Sequence, residues 1–249
     1  IEKIIAGFTD KIIALTQLEK DDFVRFKVAD AGKIKVIYQG LELEKYLNVN
    51  PDKLKVKRSL GLDLDGPVIG MVGRLEPVKG PDYFVEAASF VLKDNPAAKF
   101  VLAGEGSLRK KLEARAGSLG LKGKFLFTGW REDIPEIISV LDILVLASLN
   151  EAVGIVLIEA QAEGVPVVAA AVGGVPEIVK DKETGILVPS KNAPAIAEAV
   201  NYLLKDPEKM KSMGEKAKEW VGAKFGAPAM VNNISSLYRD TLEIKAKPD

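Results

Sequence analysis

The sequence predicts an α/β fold in which helices cover both faces of a parallel β-sheet. From Gly66 onward, short runs rich in β-branched residues alternate with longer amphipathic segments, which is the rhythm of repeated βαβ units. Runs such as 143–146 are apolar at every position, which indicates strands that are buried on both sides. Such sheets bind ligands beyond the carboxyl ends of their strands, so we expect function in the loops that follow strands.

The central part of the chain contains six predicted strands, at 68–72, 100–103, 125–127, 143–146, 165–169 and 186–188. Between them lie predicted helices at 81–92, 108–117, 134–141 and 155–163. Three further helical segments follow Pro189 without an intervening strand, at 193–204, 207–224 and 228–245.

The start of the chain differs from this centre. Helices are predicted at 1–8 and 18–26 and strands at 12–15 and 34–38, followed by a polar link through Pro51. Two strands do not form a stable sheet alone. We therefore expect the end of a domain whose beginning is missing, and the absence of Met at position 1 agrees with a fragment.

Composition excludes several classes of function. The 249 residues are 47% apolar and 28% charged, as in ordinary globular proteins, and 35 basic side chains balance 35 acidic ones. That balance argues against binding to nucleic acid or to an anionic membrane surface. The sequence contains neither a long apolar segment nor a signal-peptide pattern, which favours a cytoplasmic protein. Without Cys or His, the chain has no disulfide, thiolate nucleophile, Ser-His-Asp triad or HExxH zinc site.

Two cations follow the first central strand, in the loop GRLEPVKG. The loop glycines, Gly73 among them, let the backbone approach a ligand closely, while Arg74 and Lys79 carry the charge to neutralise a diphosphate. The alternative interpretation is two solvated cations beside a tight turn. The loop is not a Walker loop, because no GxxxxGK[ST] sequence occurs.

Two glutamates flank a helix start after the fourth central strand, in SLNEAVGIVLIEA. The helix is apolar on nearly every side, yet it carries Glu159, and a buried carboxylate needs hydrogen-bond donors. Ribose hydroxyls would serve. Gly154 leaves the helix N-terminus open to a phosphate or ligand oxygen, and Glu151 lies just ahead of it. The alternative is that Glu159 pairs with a Lys or Arg and that Glu151 is a surface residue.

Two further loops carry polar or aromatic residues. Trp130 and Arg131 follow the third central strand, where the backbone or the guanidinium would contact a base, although a solvated arginine is the alternative. Glu177 stands in the first turn of a helix that begins after GGVP, a favourable position for an acidic side chain whether or not a ligand binds.

Taken in order, GRLEPVKG, AGEGSLR, FTGW, LDILVLASLNEAVGIVLIEA, GVPVVAAAVGGVPEIV and TGILVP resemble the donor-binding half of a GT-B glycosyltransferase of family 4. The resemblance runs from about Gly66 to Pro189, and its most specific feature is the glutamate pair with seven residues between. Residues 11–50 resemble the last strands and the hinge of the family's N-terminal domain. The resemblance implies an N-terminal acceptor-domain remnant and hinge at 1–50, a donor-binding domain at 51–225 and a C-terminal helix at 226–249.

The resemblance implies a retaining transferase that binds a UDP-, ADP- or GDP-linked sugar without a metal or other cofactor. Arg74 and Lys79 would hold the diphosphate and stabilise the leaving group. Glu151 would meet the donor sugar, and Glu159 would hold the ribose.

The remaining ligand contacts implied by the resemblance come from the backbone and from one aromatic loop. Amides from Gly154 through Ile155 to Val156 would meet sugar or phosphate oxygens. The base would lie against Trp130 and Arg131.

Two departures from the family pattern bear on activity. Ala152-Val153 stands where family members usually have a small residue and then Phe, which puts sugar preference in doubt. We also expect most of the acceptor domain, with the histidine it often contributes, to be missing. We expect the chain alone to be weakly active or inactive. The alternatives are a non-catalytic nucleotide-sugar-binding protein that needs a partner chain, and an epimerase, which would require further acids or bases. The unpaired N-terminal strands also predict a homo-oligomer.

Overall fold

The computed structural model describes residues 2–47, 52–62 and 65–246, with side chains through 243. Two parallel sheets are present in this part of the chain: a two-stranded sheet near the N-terminus and a six-stranded sheet in the centre. They form a small and a large lobe.

The small lobe contains α1 (Glu2–Phe8), β1 (Ile12–Ala14), α2 (Gln17–Arg25) and β2 (Ile34–Val36). The strands β1 and β2 pair in parallel, with Ile12 opposite Ile34. Thr16 begins α2, because its hydroxyl accepts a hydrogen bond from the Glu19 amide at 3.1 Å. Both predicted strands are confirmed, and each is shorter than the sequence indicated.

Two short helices lie where the sequence predicted only a polar link: α3 (Glu44–Leu47) and α4 (Lys53–Ser59). Pro51 itself lies outside the described residues. Leu43 and Tyr46 are only 3% and 5% exposed and belong to the core of the large lobe. The prediction missed these helices because four and seven residues are too few to show helical periodicity. The division into domains at residue 50 stays a prediction.

The large lobe alternates strands and helices as predicted. Its strands are β3 (Val68–Val72), β4 (Lys99–Ala103), β5 (Phe125–Gly129), β6 (Ile143–Leu146), β7 (Val167–Ala170) and β8 (Gly185–Val188). Its helices are α5 (Pro81–Asp94), α6 (Arg109–Ser118), α7 (Ile134–Ser139), α8 (Ile155–Ala162), α9 (Val175–Ile178), α10 (Ala193–Leu204) and α11 (Pro207–Lys224). The α/β prediction is confirmed, and the bounds of the predicted strands agree within two residues.

The order of strands across the large sheet is β5-β4-β3-β6-β7-β8, and all neighbours are parallel. The chain starts at β3 in the middle, moves outward to β5 and then returns to β6 on the other side of β3. The helices that follow β3 and β6, α5 and α8, therefore lie on opposite faces of the sheet. The point between these two strands is a topological switch point, where open parallel sheets form a crevice for ligands.

Side chains alternate between two apolar cores, one on each face of the sheet. Ile69 and Met71 of β3 pack with α5, α6 and α10, whereas Val68 of the same strand packs with α7, α8 and α11. Both faces are covered, which explains why the strands are apolar at every position.

The C-terminal helix α12 (Ala227–Ala246) returns to the small lobe. At the crossing, the Leu41 amide donates to the Phe225 carbonyl at 2.8 Å, and the Ala227 amide donates to the Leu41 carbonyl at 2.9 Å. A cavity of about 310 Å³ lies between α1 and α2, and another of about 470 Å³ lies between β1 and α12. No helix within the described ranges combines the length and apolarity needed to cross a bilayer.

Candidate functional site

The loops after β3 and β6 pack against each other at the switch point. The Leu149 amide donates to the Val78 carbonyl at 2.8 Å. Gly80 has φ +62°, and a Cβ at this residue would lie 2.1 Å from the Ala147 carbonyl oxygen. Only glycine permits this close approach of the two loops.

An ion pair joins the same two loops. Lys79 Nζ lies 2.6 Å from Glu151 Oε2, and the side chains are 23% and 12% exposed. The buried Ser148 hydroxyl also donates to Glu151 Oε2, at 3.0 Å. Two donors therefore fix this carboxylate, and the structure brings together the predicted phosphate-binding and sugar-binding side chains. Neither side chain is the solvated surface residue of the alternative interpretation.

Arg74 has a different environment from Lys79. It is exposed and forms no hydrogen bond or ion pair with another residue in the described part of the chain. The nearby Glu76 is occupied by Ser107, whose amide and hydroxyl donate to it at 2.9 and 2.8 Å. These bonds, more than the charge of Arg74, lower the pKa of the Glu76 carboxyl. The Arg74 guanidinium is thus available to an incoming anion.

Four of the predicted residues line one groove: Gly73, Arg74, Trp130 and Arg131. The groove has a volume of about 200 Å³ and lies at the carboxyl ends of β3, β4 and β5. Gly104 brings the first two loops together, since a Cβ there would lie 1.9 Å from the Gly73 carbonyl oxygen. Trp130 leaves 73% of its surface exposed, so the groove has an aromatic edge that a flat ligand can cover.

Arg131 is committed to a neighbour. Its Nε and Nη2 donate to the two carboxylate oxygens of Asp133 at 2.7 and 2.5 Å. This bidentate pair lowers the pKa of the Asp133 carboxyl. The predicted contact of Arg131 with a base would therefore use the face of the guanidinium or the backbone.

The N-terminus of α8 is open beside Glu151. Gly154 precedes it with φ +78°, and no side chain of the described residues caps the helix. The amides of Ile155 and Val156 have no acceptor within the helix. A Cβ on Gly154 would lie 3.4 Å from Glu151 Cγ, which places the carboxylate next to these amides. The predicted backbone contacts and the predicted sugar contact thus share one corner of the site.

Glu159 does not line the groove beside Trp130. Its Oε1 accepts a hydrogen bond of 2.5 Å from the hydroxyl of Tyr46 on α3. None of the described lysines or arginines forms an ion pair with Glu159, so the partner is a neutral donor. The ion-pair alternative for Glu159 is not what the structure contains.

Three contributing residues were not identified by sequence reasoning. Ser148 stood inside a recognised motif but gave no signal of its own, and Tyr46 lay in the segment read as a link. Glu177 was read as an acid at the start of its own helix. Its carboxylate instead accepts bonds from the Gln17 and Leu18 amides of α2, at 2.8 and 3.0 Å, and so joins the two lobes.

A family model described as "Glycosyl transferases group 1" matches residues 52–220. Alpha-D-kanosaminyltransferase of Streptomyces kanamyceticus is 33% identical over 92% of this chain and 60% of its own length. The UDP-Gal:alpha-D-GlcNAc-diphosphoundecaprenol alpha-1,3-galactosyltransferase of Escherichia coli is 33% identical over 96% of this chain and 62% of its own length. The chain thus spans about three fifths of these relatives.

Solved structures show the same architecture. HepE of Anabaena in complex with UDP superposes with a TM-score of 0.87 at 26% identity, over 93% of this chain and 64% of that one. The C-terminal domain of a group 1 glycosyl transferase from Francisella tularensis superposes with a TM-score of 0.68 at 28% identity, over 76% of this chain and 100% of that one. The Rossmann-like fold therefore matches the C-terminal half of GT-B proteins.

Proposed function

The chain belongs to the group 1 glycosyl transferases, and from that membership we propose that it supplies the donor-binding half of a retaining glycosyl transfer. The donor is a nucleoside diphosphate sugar and the acceptor is a hydroxyl group. The observation that carries the proposal is the Lys79–Glu151 ion pair across the switch point, together with Arg74, which pairs with no described residue, and the open N-terminus of α8.

Arg74 and Lys79 bind the diphosphate in this proposal. Arg74 offers a fork of donors that no described residue occupies, and Lys79 supplies a point charge that Glu151 holds in place before the ligand arrives. Negative charge develops on the phosphate as the sugar leaves, and two cations that already contact the bound diphosphate stabilise it without further reorganisation. We propose that they take the part a divalent metal would otherwise play.

Glu151 and the α8 N-terminus bind the donor sugar. When the diphosphate draws Lys79 away, Glu151 keeps the Ser148 hydroxyl as a donor and gains capacity to accept from a sugar hydroxyl. The free amides of Ile155 and Val156 attract a sugar or phosphate oxygen. The nucleoside lies along the groove edged by Trp130, with its ribose held by Glu159.

In transfer with retention of the anomeric configuration, the bond between C1 of the sugar and the phosphate oxygen breaks, and that oxygen keeps the electron pair. The acceptor oxygen bonds to C1 on the same face and gives its proton to the departing phosphate. Orientation of the acceptor requires a second wall of the cleft, and we propose that an N-terminal domain supplies it, since the chain covers only about three fifths of these relatives.

Calorimetric titration with UDP, ADP and GDP tests donor binding. UDP comes first, because a solved structural relative contains UDP and a curated relative is named for UDP-Gal. Each titration is run with EDTA and with Mg²⁺. We expect binding of at least one nucleoside diphosphate with the same affinity in both. If the chain binds none of the three nucleoside diphosphates, the proposal is wrong.

Transfer is measured with the 249-residue chain and with a longer chain that carries a complete N-terminal domain. We expect transfer by the longer chain, with an anomeric configuration equal to that of the donor, and little or none by the shorter one. Donor binding without transfer by either chain would favour a non-catalytic binding protein. Conversion of the donor into a second nucleotide sugar would favour an epimerase.

A further inference from the structure

Tyr46 and Glu159 form a contact that the roles above leave unused. Tyr46 lies on α3, only 5% of its surface is exposed, and its hydroxyl donates to Glu159 Oε1 at 2.5 Å. Glu159 lies on α8, 113 residues later in the chain. The two helices pack directly against each other. One side chain from the segment between the lobes thus holds the carboxylate assigned to the ribose.

Packing fixes the position of the Tyr46 hydroxyl. The ring belongs to the same apolar cluster as Leu43, Val153 and Leu157, the last two being residues of the β6–α8 loop and of α8. A buried ring in such a cluster has little freedom to move. Its hydroxyl therefore presents a donor at a defined point beside the helix that carries Glu159.

The Tyr46 hydroxyl remains protonated and so always donates. Its pKa is raised well above the usual range, first by burial and then by the Glu159 carboxylate, because the hydroxyl donates to that carboxylate and a phenolate there would be repelled by it. The second oxygen of Glu159, Oε2, accepts no hydrogen bond from the residues that the structure describes.

We propose that Tyr46 is a positioning residue for ribose recognition. It holds Oε1 of Glu159 and thereby sets the rotamer in which Oε2 accepts from the ribose hydroxyls of the nucleoside diphosphate. This inference rests on the proposed function, since it requires that Glu159 meets the ribose. A free carboxylate on a flexible side chain would lose rotamer freedom on binding, and Tyr46 removes that loss before the ligand arrives.

Tyr46→Phe tests the proposal, because it removes one oxygen and keeps the packed ring. UDP and 2′,3′-dideoxy-UDP are titrated into the wild type, Tyr46→Phe, Glu159→Gln and the double variant. We expect Tyr46→Phe to weaken UDP binding about 5- to 20-fold and to change dideoxy-UDP binding less than about 2-fold, as for loss of one hydrogen bond to a charged group. The double variant should bind UDP no more weakly than Glu159→Gln alone.

Tyr202→Phe is the matched control, since Tyr202 is exposed and its hydroxyl accepts from Lys209 on the outer surface of α10 and α11. Equal loss for both nucleotides, unchanged UDP binding, or failure of Tyr46→Phe to fold would assign the hydroxyl to structure and overturn the proposal. If the wild type binds UDP and dideoxy-UDP equally, the positioning role fails while donor binding stands. If it binds no nucleoside diphosphate, both fail.

Discussion

Lys79 and Glu151 come from loops 72 residues apart, and their side chains meet at 2.6 Å where the strand order reverses. The pair lies between the two halves of the large sheet, beside Gly154 and the open helix N-terminus. It therefore joins the two loops of the site directly. If phosphate oxygens replace Glu151 as the partner of Lys79, the ion pair opens, so binding of a diphosphate would change the contact between the two loops.

Lys79→Ala and Arg74→Ala should separate stability from affinity. Lys79→Ala leaves the largely buried Glu151 without its cation and should lower the free energy of unfolding by about 1–3 kcal/mol. Arg74→Ala should change it by less than about 0.5 kcal/mol, because Arg74 is exposed and forms no ion pair with the residues that the structure describes. Each should weaken nucleoside diphosphate binding by about 1–3 kcal/mol.

Urea unfolding and calorimetry measure the two effects. Lys122→Ala is the control, since Lys122 is exposed and precedes β5, at the amino ends of the strands and so away from the site. Loss of stability in Arg74→Ala with unchanged nucleotide affinity would contradict the assignment of Arg74 to the phosphate.

Glu163 should make stability depend on pH. Burial raises the pKa of its carboxyl to about 8 from 4.5, with Glu136 and Glu159 raising it further and Lys53 and Lys218 opposing. The folded chain therefore holds a proton that the unfolded chain releases at lower pH. Because the folded state binds more protons between about pH 4.5 and 8, the free energy of unfolding falls as pH rises through this window.

Glu163→Gln should remove this dependence, since glutamine resembles the protonated carboxyl. We expect a gain of about 1–2 kcal/mol at pH 8.5, below the full linkage value because the side chain keeps some solvent contact, and no gain near pH 4. Urea unfolding across this range measures it, with the exposed Glu219→Gln as control. If the free energy of unfolding depends on pH in the same way for the wild type and Glu163→Gln, the pKa of the Glu163 carboxyl is not raised in the folded state.

Gly80→Ala should unfold or distort the switch-point loops. The new Cβ would lie 2.1 Å from the Ala147 carbonyl oxygen at a residue with φ +62°. We expect a loss of about 2 kcal/mol or more, from strain and overpacking together. Gly117→Ala is the matched control, because Gly117 lies within α6 and nothing stands within 4 Å of its Cβ position. That change should stabilise the protein by about 0.5–1 kcal/mol. Thermal melts compare the two, and equal melting temperatures would refute the predicted clash.

Glu177→Ala should loosen the small lobe. It removes the acceptor for the Gln17 and Leu18 amides and for the Tyr38 hydroxyl, which donates at 3.1 Å. Loss of a helix N-terminal acceptor costs about 0.5–2 kcal/mol, so amide exchange at 17 and 18 should accelerate about 3- to 30-fold. Hydrogen exchange measures this, with exposed Glu183→Ala as control. Unchanged protection of the two amides would show that another contact holds α2.

Local patterns were enough to predict the large sheet but not the contacts across it. The strand 143–146 is apolar throughout, and 193–204 is an amphipathic helix with Pro in its first turn, so each is specified by its own residues. The short α3 is held by burial of Tyr46 in the core of another segment, which no local period reveals. The pairing of Lys79 with Glu151 depends on the order of the strands in the sheet. The hydrogen bond from Tyr46 to Glu159 depends on the packing of α3 against α8. Their proposed roles in binding remain predictions.

The chain crosses between the lobes twice, at Leu41 and again at 225–227, and main-chain hydrogen bonds tie the two crossings together. Two tied crossings cannot slide past each other without breaking those bonds. These bonds therefore restrain translation and separation of the lobes at the seam, and any rotation about it would have to break the bonds from the Gln17 and Leu18 amides to Glu177.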